Sequence, residues 1–382
     1  MSEKVDDLVN ELENEYKARQ LWEKQGLTFE EIAERTDVAV ETLKTWADNN
    51  EWDSPPVERK LRKVQSDKRD LDRKYRNLLD DYNDLLDQMG LLEELGPPTI
   101  APIRKKKPSG TTEATAIITL SDWHFEEEVL AESVNGLNEF NLEIAKQRTD
   151  KCFQNGLRLT DIIAKEVKIT TILMPLLGDF ISNDIHEEFR ETNKLLPMEA
   201  MEAVQESLAS GIHFILKNSK YDIILNCHSG NHGRTTKNVF ISTEHGHSLE
   251  YFMYRNLAKY FEKEKRVKFN IQKGYHSYQD VYDMTLRFHH GHGIRYYGGV
   301  GGLYIPANKA IAQWNKARHA DLDVFGHFHQ MKDGGHFVTN GSLIGYNAYA
   351  LSIKADYEPP RQAFFVIDSK RGKTFTCPIR VD

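Results

Sequence analysis

The sequence AIITLSDWH at residues 116–124 decides the fold of the larger part of the chain. Its first five residues form a short apolar run of the kind that builds a buried strand. Ser121-Asp122-Trp123-His124 follows at once. Side chains alternate along a strand, so Asp122 and His124 would lie on the same side and could reach one ion. The stretch therefore predicts a strand with two metal ligands at its carboxyl end.

Strand-like and helix-like patterns alternate from residue 114 to residue 382. Further short apolar runs predict strands at 171–174, 223–225, 284–286, 324–325 and 363–367. Amphipathic stretches at 141–165 and 199–216 predict helices between them. Alternating strands and helices indicate a layered α/β fold.

Metal-binding residue types follow each of the first five predicted strands. Asp122 and His124 follow the first strand. The groups that follow the next four strands are, in order, Gly178-Asp179, Gly230-Asn231-His232-Gly233-Arg234, His289-His290-Gly291-His292 and Gly326-His327-Phe328-His329. Carboxylate, imidazole and amide oxygen suit borderline-to-hard divalent metals. Sites in open α/β sheets form outside the carboxyl ends of the strands. One such group alone is usually a turn, but five in this order predict a metal centre.

These motifs resemble the calcineurin-like metallophosphoesterase superfamily, whose pattern is D-x-H, G-D, G-N-H, H and G-H-x-H. The resemblance covers about residues 114–370, and TNGSL at 339–343 with PPRQ at 359–362 is similar to phage-encoded members of the nuclease branch. It implies a layered metallophosphoesterase β-sandwich flanked by helices in residues 114–382. Many relatives carry GDxxD, whereas this chain reads GDFIS at 178–182.

The resemblance also implies two divalent metal ions, with manganese as the expected metal, although these ligands also accept iron, zinc or nickel. Three ligands would hold each ion and one would bridge them: Asp122, His124 and His329; Asn231, His290 and His327; and Asp179. His232 would lie over the substrate phosphate and protonate the leaving oxygen, and Arg234 would contact the phosphate. Two ions about 3.5–4 Å apart can share a hydroxide and clamp a phosphoryl group.

Three further residues near these motifs are candidate substrate contacts: Asn183, His186 and His292. His292 would face the substrate or support the metal ligands, and His186 would contact the substrate or begin a helix. His245-Gly246-His247 repeats the HGH of residues 290–292, but no strand precedes it. We therefore expect a loop or a helix-capping feature there.

Residues 1–54 predict a helix-turn-helix domain. Thr28 and Glu31 form the sequence pattern of a capping box, and a turn near 36–38 separates two short helices. The segment resembles the helix-turn-helix of phage terminase small subunits. The third helix carries Lys44 as its one cation, whereas base readout usually uses Arg, Lys, Asn or Gln. DNA and a protein partner both remain open for this domain.

Residues 55–96 predict a coiled-coil helix, and residues 97–113 a linker rich in proline and polar residues. Within 57–95, all five d positions are aliphatic if Leu61 is taken as position a. A single amphipathic helix packed on residues 114–382 could give part of this pattern, but the sustained heptads favour a self-associating coiled coil. We therefore expect a homo-oligomer. The first half of this helix, residues 59–76, is strongly basic.

Composition limits the remaining possibilities. The chain has 382 residues and a net charge of −8, so any polyanion must be held by local patches or by metal ions. Its three cysteines form no CxxC pair, which excludes a thiolate zinc site and favours a reducing compartment. No run of 18 apolar residues predicts a membrane span. We expect a cytoplasmic protein, in the host cytoplasm if it is phage-encoded.

The motifs together favour a metal-dependent DNA nuclease. The same fold also serves other phosphoesterases, so fold alone does not choose the substrate. One alternative is a phosphatase or phosphodiesterase that acts on protein or on small phosphoesters. Another is a DNA-binding or docking scaffold that carries a phosphoesterase domain.

Overall fold

The computed structural model describes residues 2–52, Arg73, 112–296 and 302–382. The predicted coiled coil at 55–96 lies outside the described residues apart from Arg73, as does nearly all of the predicted linker, so both stay predictions. The chain divides into two compact units, one within residues 1–94 and one within residues 95–382. Among the described helices, none is both long enough and apolar enough to cross a membrane.

The N-terminal unit contains helices α1 (Ser2–Gln20), α2 (Phe29–Thr36) and α3 (Val40–Asn49). The predicted capping box is present: the Thr28 hydroxyl accepts a hydrogen bond from the backbone N–H of Glu31, and the Glu31 carboxylate accepts one from the backbone N–H of Thr28. These two bonds satisfy N–H groups that the helix itself cannot pair. They fix where α2 begins.

A small apolar core joins the three N-terminal helices. Its buried residues are Ala18, Ile32, Leu43 and Trp52. Leu12 and Tyr16 of α1 are 57% and 67% exposed. Among the described side chains of α1, Ala18 is the one buried in this core.

The larger unit contains two sheets with helices outside them. The strands are β1 (Glu113–Ile118), β2 (Lys168–Leu176), β3 (Asp222–Cys227), β4 (Val267–Ile271), β5 (Ser277–Val281), β6 (Met284–Phe288), β7 (Leu322–Phe325), β8 (Lys332–Asp333), β9 (Phe337–Thr339), β10 (Arg361–Asp368) and β11 (Gly372–Arg380). The helices are α4 (Leu142–Ile163), α5 (Phe189–Thr192), α6 (Pro197–Asn218), α7 (Leu249–Tyr260), α8 (Tyr304–Ala317) and α9 (Ala348–Ser352).

The first sheet has the order β11-β10-β1-β2-β3-β4, and the second has the order β5-β6-β7-β9-β8. β1, β2, β3 and β4 run parallel, as do β6, β7 and β9. All six predicted strands and both predicted helices are present. The predicted layered α/β fold is therefore confirmed.

Side-chain alternation along the strands builds the layers. In β1, Ala116 and Ile118 pack in the core shared with the flanking helices. Ile117 points the other way, into a core that includes Leu286 and Val324 of the second sheet. Both faces of the first sheet are thus covered, which explains the nearly continuous apolar runs of its parallel strands.

The outer face of the second sheet packs against α8. Ala307 and Ile311 of this helix share a buried cluster with Phe325 and Phe337. The layer order is therefore helices, first sheet, second sheet, helix. The carboxyl ends of β1, β2 and β3 meet those of β6 and β7 along one edge of the sandwich, as the loop contacts below show.

Close packing of α4 on α6 gives a test of this architecture. A Cβ atom placed on Gly211 of α6 would lie 2.2–2.3 Å from the ring of Phe153 in α4. Gly211→Ala should therefore lower the free energy of unfolding by about 1–3 kcal/mol through overpacking. Because contacts of 2.2–2.3 Å are a severe overlap, we expect the upper part of this range, which outweighs the roughly 1 kcal/mol that alanine gains in helix propensity.

The measurement is chemical denaturation of the full chain, with Gly246→Ala as the matched control. A Cβ atom at Gly246 meets nothing within 4 Å, so this variant should unfold like the wild type. Equal stability of the two variants would contradict the packing of α4 on α6.

Candidate metal centre

Three groups of carboxylate and imidazole side chains converge at the shared strand ends. Within each group the ligand atoms lie within 4.8 Å of one another. The groups are Asp122, His124 and His329; His124, Asp179 and His232; and Asp179, His290 and His327. The seventh predicted ligand, Asn231, places Oδ1 3.1 Å from Nε2 of His290. Residue clusters of this kind can bind divalent metal ions.

The local backbone at these residues differs from the prediction. β1 ends at Ile118 and β7 ends at Phe325, so the DWH and GHFH motifs lie in loops. Strand alternation therefore does not bring Asp122 and His124 together, nor does it place His327 and His329 on one side. Left-handed backbone turns each loop, and His327 and His329 enter different groups.

Five of the seven predicted ligands have positive φ: Asp122 (56°), His124 (46°), Asp179 (54°), His327 (71°) and His329 (53°). This conformation costs roughly 1–3 kcal/mol at a residue other than glycine, and it persists only where the surroundings enforce it. Hydrogen bonds enforce it here, since the backbone N–H of His327 donates to the Asp122 carboxylate at 3.0 Å and that of Leu343 donates to the carbonyl of Asp122 at 3.0 Å. Strain concentrated in one place indicates a functional site.

The hydrogen bonds of His124 leave its outer nitrogen free for a metal. The Ser182 hydroxyl donates to Glu127 at 2.8 Å, so it accepts from Nδ1 of His124, also at 2.8 Å. Nε2 of His124 then carries a lone pair and lies 3.2 Å from Nε2 of His329. At most one of these two nitrogens can carry a proton, so the pair directs lone pairs at a shared point.

His290 is oriented in the same way. Its Nδ1 donates to the carbonyl of Leu177 at 2.6 Å. Its Nε2 lies 2.9 Å from Oδ2 of Asp179 and 3.2 Å from Nδ1 of His327. A metal ion that displaces the Nε2 proton would meet the Asp179 carboxylate and the ring nitrogens of His290 and His327 together, so these ligand atoms fit divalent metal ions.

The local charges favour a cation at the site. Burial alone would lower the pKa of His290, but the Asp179 carboxylate beside it raises that pKa to about 10. The pKa of Asp179 is held well below its usual range, because the pull of His290 outweighs the effect of burial. Burial lowers the pKa of His124, His327 and His329, so these imidazoles are neutral at pH 7, as metal ligands must be.

A proton on His290 must leave before Nε2 can bind a metal. Burial also raises the pKa of Asp122 to about 7, so this carboxyl is partly protonated at neutral pH. Mn²⁺ binding should therefore release between one and two protons per protein at neutral pH, and Mn²⁺ affinity should rise with pH up to the His290 pKa of about 10. The affinity rises with pH because the pKa of His290 in the metal-free protein lies above the solution pH, so Mn²⁺ competes with a bound proton. Calorimetric titration in buffers of different ionisation enthalpy measures the released protons. A binding enthalpy that does not depend on the buffer, together with an Mn²⁺ affinity that does not change across neutral pH, would contradict this prediction.

Ser182 and Glu127 support His124 from behind. Many members of the superfamily that the sequence resembles carry the second Asp of GDxxD at the position of Ser182. Here the Ser182 hydroxyl donates a hydrogen bond to the carboxylate of the buried Glu127. Burial raises the pKa of Glu127 against the opposing effect of the Ser182 hydrogen bond. A carboxylate behind a ligating histidine fixes the tautomer and increases ligand basicity.

Glu127→Gln should weaken Mn²⁺ binding about 10- to 100-fold, because the amide no longer holds the Ser182–His124 pair as a carboxylate does. Titration of the metal-free protein with Mn²⁺ gives the affinity, and an unfolding curve shows that the variant is folded. Glu132→Gln is the matched control, since Glu132 is exposed and lies outside the three ligand groups. Equal Mn²⁺ affinity of both variants would refute the supporting role of Glu127.

Glu250 of α7 clamps two of the loops together. Its buried carboxylate accepts hydrogen bonds from the backbone N–H of Phe180 at 2.8 Å and of Gly230 at 2.6 Å. Burial and the nearby Asp179 raise the pKa of Glu250 to about 8. The loops approach so closely that a Cβ atom on Gly178, whose φ is +89°, would lie 2.0 Å from the backbone nitrogen of Gly230. This contact fixes the loop of Asp179 against the loop of Asn231.

A second buried network holds Asp122. The backbone N–H of Ser121 donates to Gln362 at 3.0 Å, Asn340 donates to the Ser121 hydroxyl at 2.8 Å, and that hydroxyl donates to the Asp122 carboxylate. Asn340 and Gln362 lie in the TNGSL and PPRQ segments. Both segments therefore contribute to positioning a predicted ligand.

Arg234 and Asn183, which were predicted to contact the phosphate or the substrate, form hydrogen bonds within the protein in this structure. The Arg234 guanidinium donates to the carbonyls of Asn231, Thr236 and Lys237. Both amide hydrogens of Asn183 go to the carbonyls of His232 and Arg234, each at 2.9 Å. These two side chains hold the loop that carries Asn231 and His232, and the three bonds of Arg234 use three of the five N–H donors of its guanidinium.

The other candidate contacts lie close to the site. The His186 ring centroid is 6.3 Å from that of His232, and the His292 centroid is 5.6 Å from that of His290. His245 and His247 lie in a 3₁₀ turn, Glu244–His247, directly before α7. The expected loop is present, but the capping alternative is wrong, because Ser248 caps α7 through its hydroxyl.

Sequence reasoning missed Glu127 and Glu250, and it gave no role to Asn340 and Gln362 although it singled out the TNGSL and PPRQ segments that contain them. Neither glutamate belongs to a recognisable spacing with its partner, since Glu127 is 55 residues from Ser182 and Glu250 is 70 residues from Phe180. For Glu250, the signal in the sequence is a charged residue inside an apolar helical pattern, between Leu249 and Phe252.

The chain matches no protein-family model and no curated protein. Among solved structures, it is similar to a single mutant of Vps29 from Entamoeba histolytica, with 11% identity over 69% of this chain and 98% of that chain and a TM-score of 0.28. A conserved protein from Streptococcus pneumoniae, described as a predicted phosphoesterase, is 12% identical over 67% and 84%, with a TM-score of 0.26. A hypothetical protein from Pyrococcus horikoshii is 11% identical over 70% and 89%, with a TM-score of 0.33. Such distant likenesses say nothing about what this chain does.

Proposed function

We propose that the chain is a two-metal-dependent phosphodiesterase and that its substrate is DNA. The observation that carries this proposal is the position of Asp179, which belongs to two of the three ligand groups. A carboxylate shared between neighbouring groups is the arrangement that a bridging ligand needs. Asp122, His124 and His329 would hold one ion, Asn231, His290 and His327 the other, and manganese suits this mixture of oxygen and nitrogen ligands.

The residues of the chain then have separate tasks. When bound, two divalent ions supply an acidified water and neutralise charge on the phosphate. His232 donates through Nδ1 to the carbonyl of Ser182 at 3.0 Å, so its Nε2, 3.9 Å from Asp179, faces the site. Nε2 would hand a proton to the leaving oxygen from the imidazolium form, in which both ring nitrogens carry a proton. Burial lowers the pKa of His232, and the nearby Asp179 carboxylate and the Ser182 carbonyl oppose that effect. The Arg234 and Asn183 contacts keep this imidazole in place.

The choice of DNA is supported by the N-terminal half of the sequence. Residues 59–76 are densely basic, and self-association through residues 57–95 would present two copies, which raises avidity. The helix-turn-helix contributes less to this argument, because Lys44 forms an ion pair with Glu41 at 2.9 Å. A protein partner for residues 1–54 is therefore the second use that we propose for that domain.

Substrate class can be tested with the Mn²⁺-loaded full chain. Bis-p-nitrophenyl phosphate and p-nitrophenyl phosphate separate diester from monoester hydrolysis, and single-stranded, double-stranded and circular DNA and RNA give the polymer preference. Faster hydrolysis of the diester and cleavage of DNA would support the proposal. Preference for the monoester would support a phosphatase, and no hydrolysis of any substrate would support the scaffold alternative.

His232→Ala should lower kcat about 10²- to 10⁴-fold on the best of these substrates while metal content stays near that of the wild type, because His232 acts on the leaving oxygen. Asp179→Ala should lose bound metal as well. Metal analysis and steady-state kinetics give both quantities, with His213→Ala as the control because that exposed ring contacts Tyr260 instead of the site. Full metal content in the Asp179 variant would show that this carboxylate does not bridge the ions.

A further inference from the structure

Three consecutive apolar residues are exposed in the loop between Arg234 and the 3₁₀ turn before α7. We call this loop, residues 235–243, the VFI loop. Its residues Val239, Phe240 and Ile241 are 36%, 45% and 67% exposed. None of the three packs in the apolar cores described for the larger unit. A run of exposed apolar residues is unfavourable in water, and it indicates a surface that contacts a partner.

Hydrogen bonds hold the base of the VFI loop. The backbone N–H of Thr235 donates to the carbonyl of His247 at 2.8 Å, so the two ends of the loop are joined. The Arg234 guanidinium donates to two carbonyls at the start of the loop, at 3.1 and 3.3 Å. Because Arg234 follows His232 by two residues, these bonds connect the position of the loop to that of the proposed proton donor.

The VFI loop borders the candidate metal centre. Val239 and Phe240 line one small opening together with the predicted ligand Asn231. The Phe240 ring also contacts His247 edge to face, with ring centroids 5.1 Å apart. A phosphodiester held at the metal centre would bring its nearest bases towards this loop, because base and phosphate belong to the same nucleotide.

The charges around the VFI loop suit a polyanion. Residues 233–248 contain Arg234 and Lys237 against one carboxylate, Glu244, although the whole chain has a net charge of −8. Lys273, which is exposed, adds a cation next to the 3₁₀ turn at the end of the loop. This part of the rim is therefore locally basic, and it complements the phosphate backbone of a nucleic acid.

A second segment beside His232 has the opposite charge. The ring centroids of His186 and Phe189 lie 6.3 and 5.6 Å from that of His232. Residues 184–191 expose four carboxylates against one guanidinium. Since like charges repel, a phosphate backbone that continues from the metal centre is favoured along the VFI loop and disfavoured along residues 184–191.

We propose that the VFI loop recognises the nucleic-acid strand by packing Phe240 and Ile241 against an unstacked base next to the scissile phosphodiester. The proposal rests on the proposed function and adds the surface that contacts the bases. Phe and Ile are among the apolar side chains that proteins insert between neighbouring bases, and aromatic rings stack on bases of any sequence. Lys237 in the same loop would contact a backbone phosphate.

Binding to strands with and without bases tests the proposal separately from turnover. The probes are a short single-stranded DNA and a strand of equal length built only of abasic tetrahydrofuran residues. The full chain carries His232→Ala and Mn²⁺, so that it does not cleave the probes. Adding Phe240→Ser with Ile241→Ser should lower the affinity for the DNA about tenfold and leave the affinity for the abasic strand unchanged, because only the first strand offers bases to stack.

Three further variants show which property of the loop matters. Phe240→Tyr with Ile241→Leu keeps a ring and an apolar side chain, so it should retain most of the preference for bases. Phe375→Ser with Ile162→Ser is the matched control, since these side chains are 41% and 46% exposed and lie outside residues 233–248. Lys237→Gln should weaken the binding of both strands by a similar factor and reduce its salt dependence, because it removes a phosphate contact.

Hydrolysis separates the loop from the metal centre. With His232 intact, Phe240→Ser with Ile241→Ser should lower kcat/KM on DNA about tenfold. The same variant should keep the wild-type kcat/KM on methyl p-nitrophenyl phosphate, a small diester without a base. Equal losses on both substrates would mean that the substitutions disturb the metal centre, and they would overturn the proposal.

The strand-binding experiment has a second outcome that overturns the proposal. A Phe240→Ser and Ile241→Ser chain that still prefers the base-bearing strand as strongly as the chain with an intact loop would exclude the base contact. If light scattering shows that this variant has also lost self-association, the exposed residues belong to an interface between copies of the chain. Wild-type protein that hydrolyses no diester and binds neither strand would refute the proposed function itself, and the role of the loop with it.

Discussion

The contact between Asp179 and His290 is the interaction on which the site depends. Asp179 follows β2 of the first sheet and His290 follows β6 of the second, and Oδ2 of the carboxylate lies 2.9 Å from Nε2 of the imidazole. Oδ1 of the same carboxylate accepts the backbone N–H of His232 at 2.8 Å. One side chain thus joins the loops of both sheets and sets the negative potential at the point where the other ligands meet.

The supporting shell explains how neutral imidazoles and carboxylates can be held so close together. Each important ligand is fixed from behind by a buried partner: Ser182 and Glu127 behind His124, the carbonyl of Leu177 behind His290, and Ser121 beside Asp122. These partners hold Nε2 of His124 and Nε2 of His290 facing inward. The remaining repulsion and backbone strain are tolerated because the surrounding loops are packed too closely to relax.

Much of the fold was predictable, because strongly apolar strands and long amphipathic helices can be recognised from a single sequence. Five strands, β4, β5, β8, β9 and β11, were missed. Polar residues interrupt β4 (VKFNI) and β5 (SYQDV), so their pattern resembles a loop, and β8 and β9 have only two and three residues. The candidate ligands that converge here were predicted together through their order along the chain, whereas the expected strand alternation at Asp122 and His124 was wrong. Left-handed backbone depends on hydrogen bonds such as that from His327 to Asp122, 205 residues away, which no local pattern reveals.

The distribution of the ligands along the chain has a consequence for how the molecule forms. His124 and His329 are 205 residues apart, and two of the three ligand groups draw on loops of both sheets. Contacts of such sequence separation carry a large loop-closure entropy and form slowly. These two groups can assemble only after the sheets have docked. The candidate metal centre is therefore complete only after the two sheets have docked. A nascent chain released before β7 would lack His329 of one group and His327 of the other.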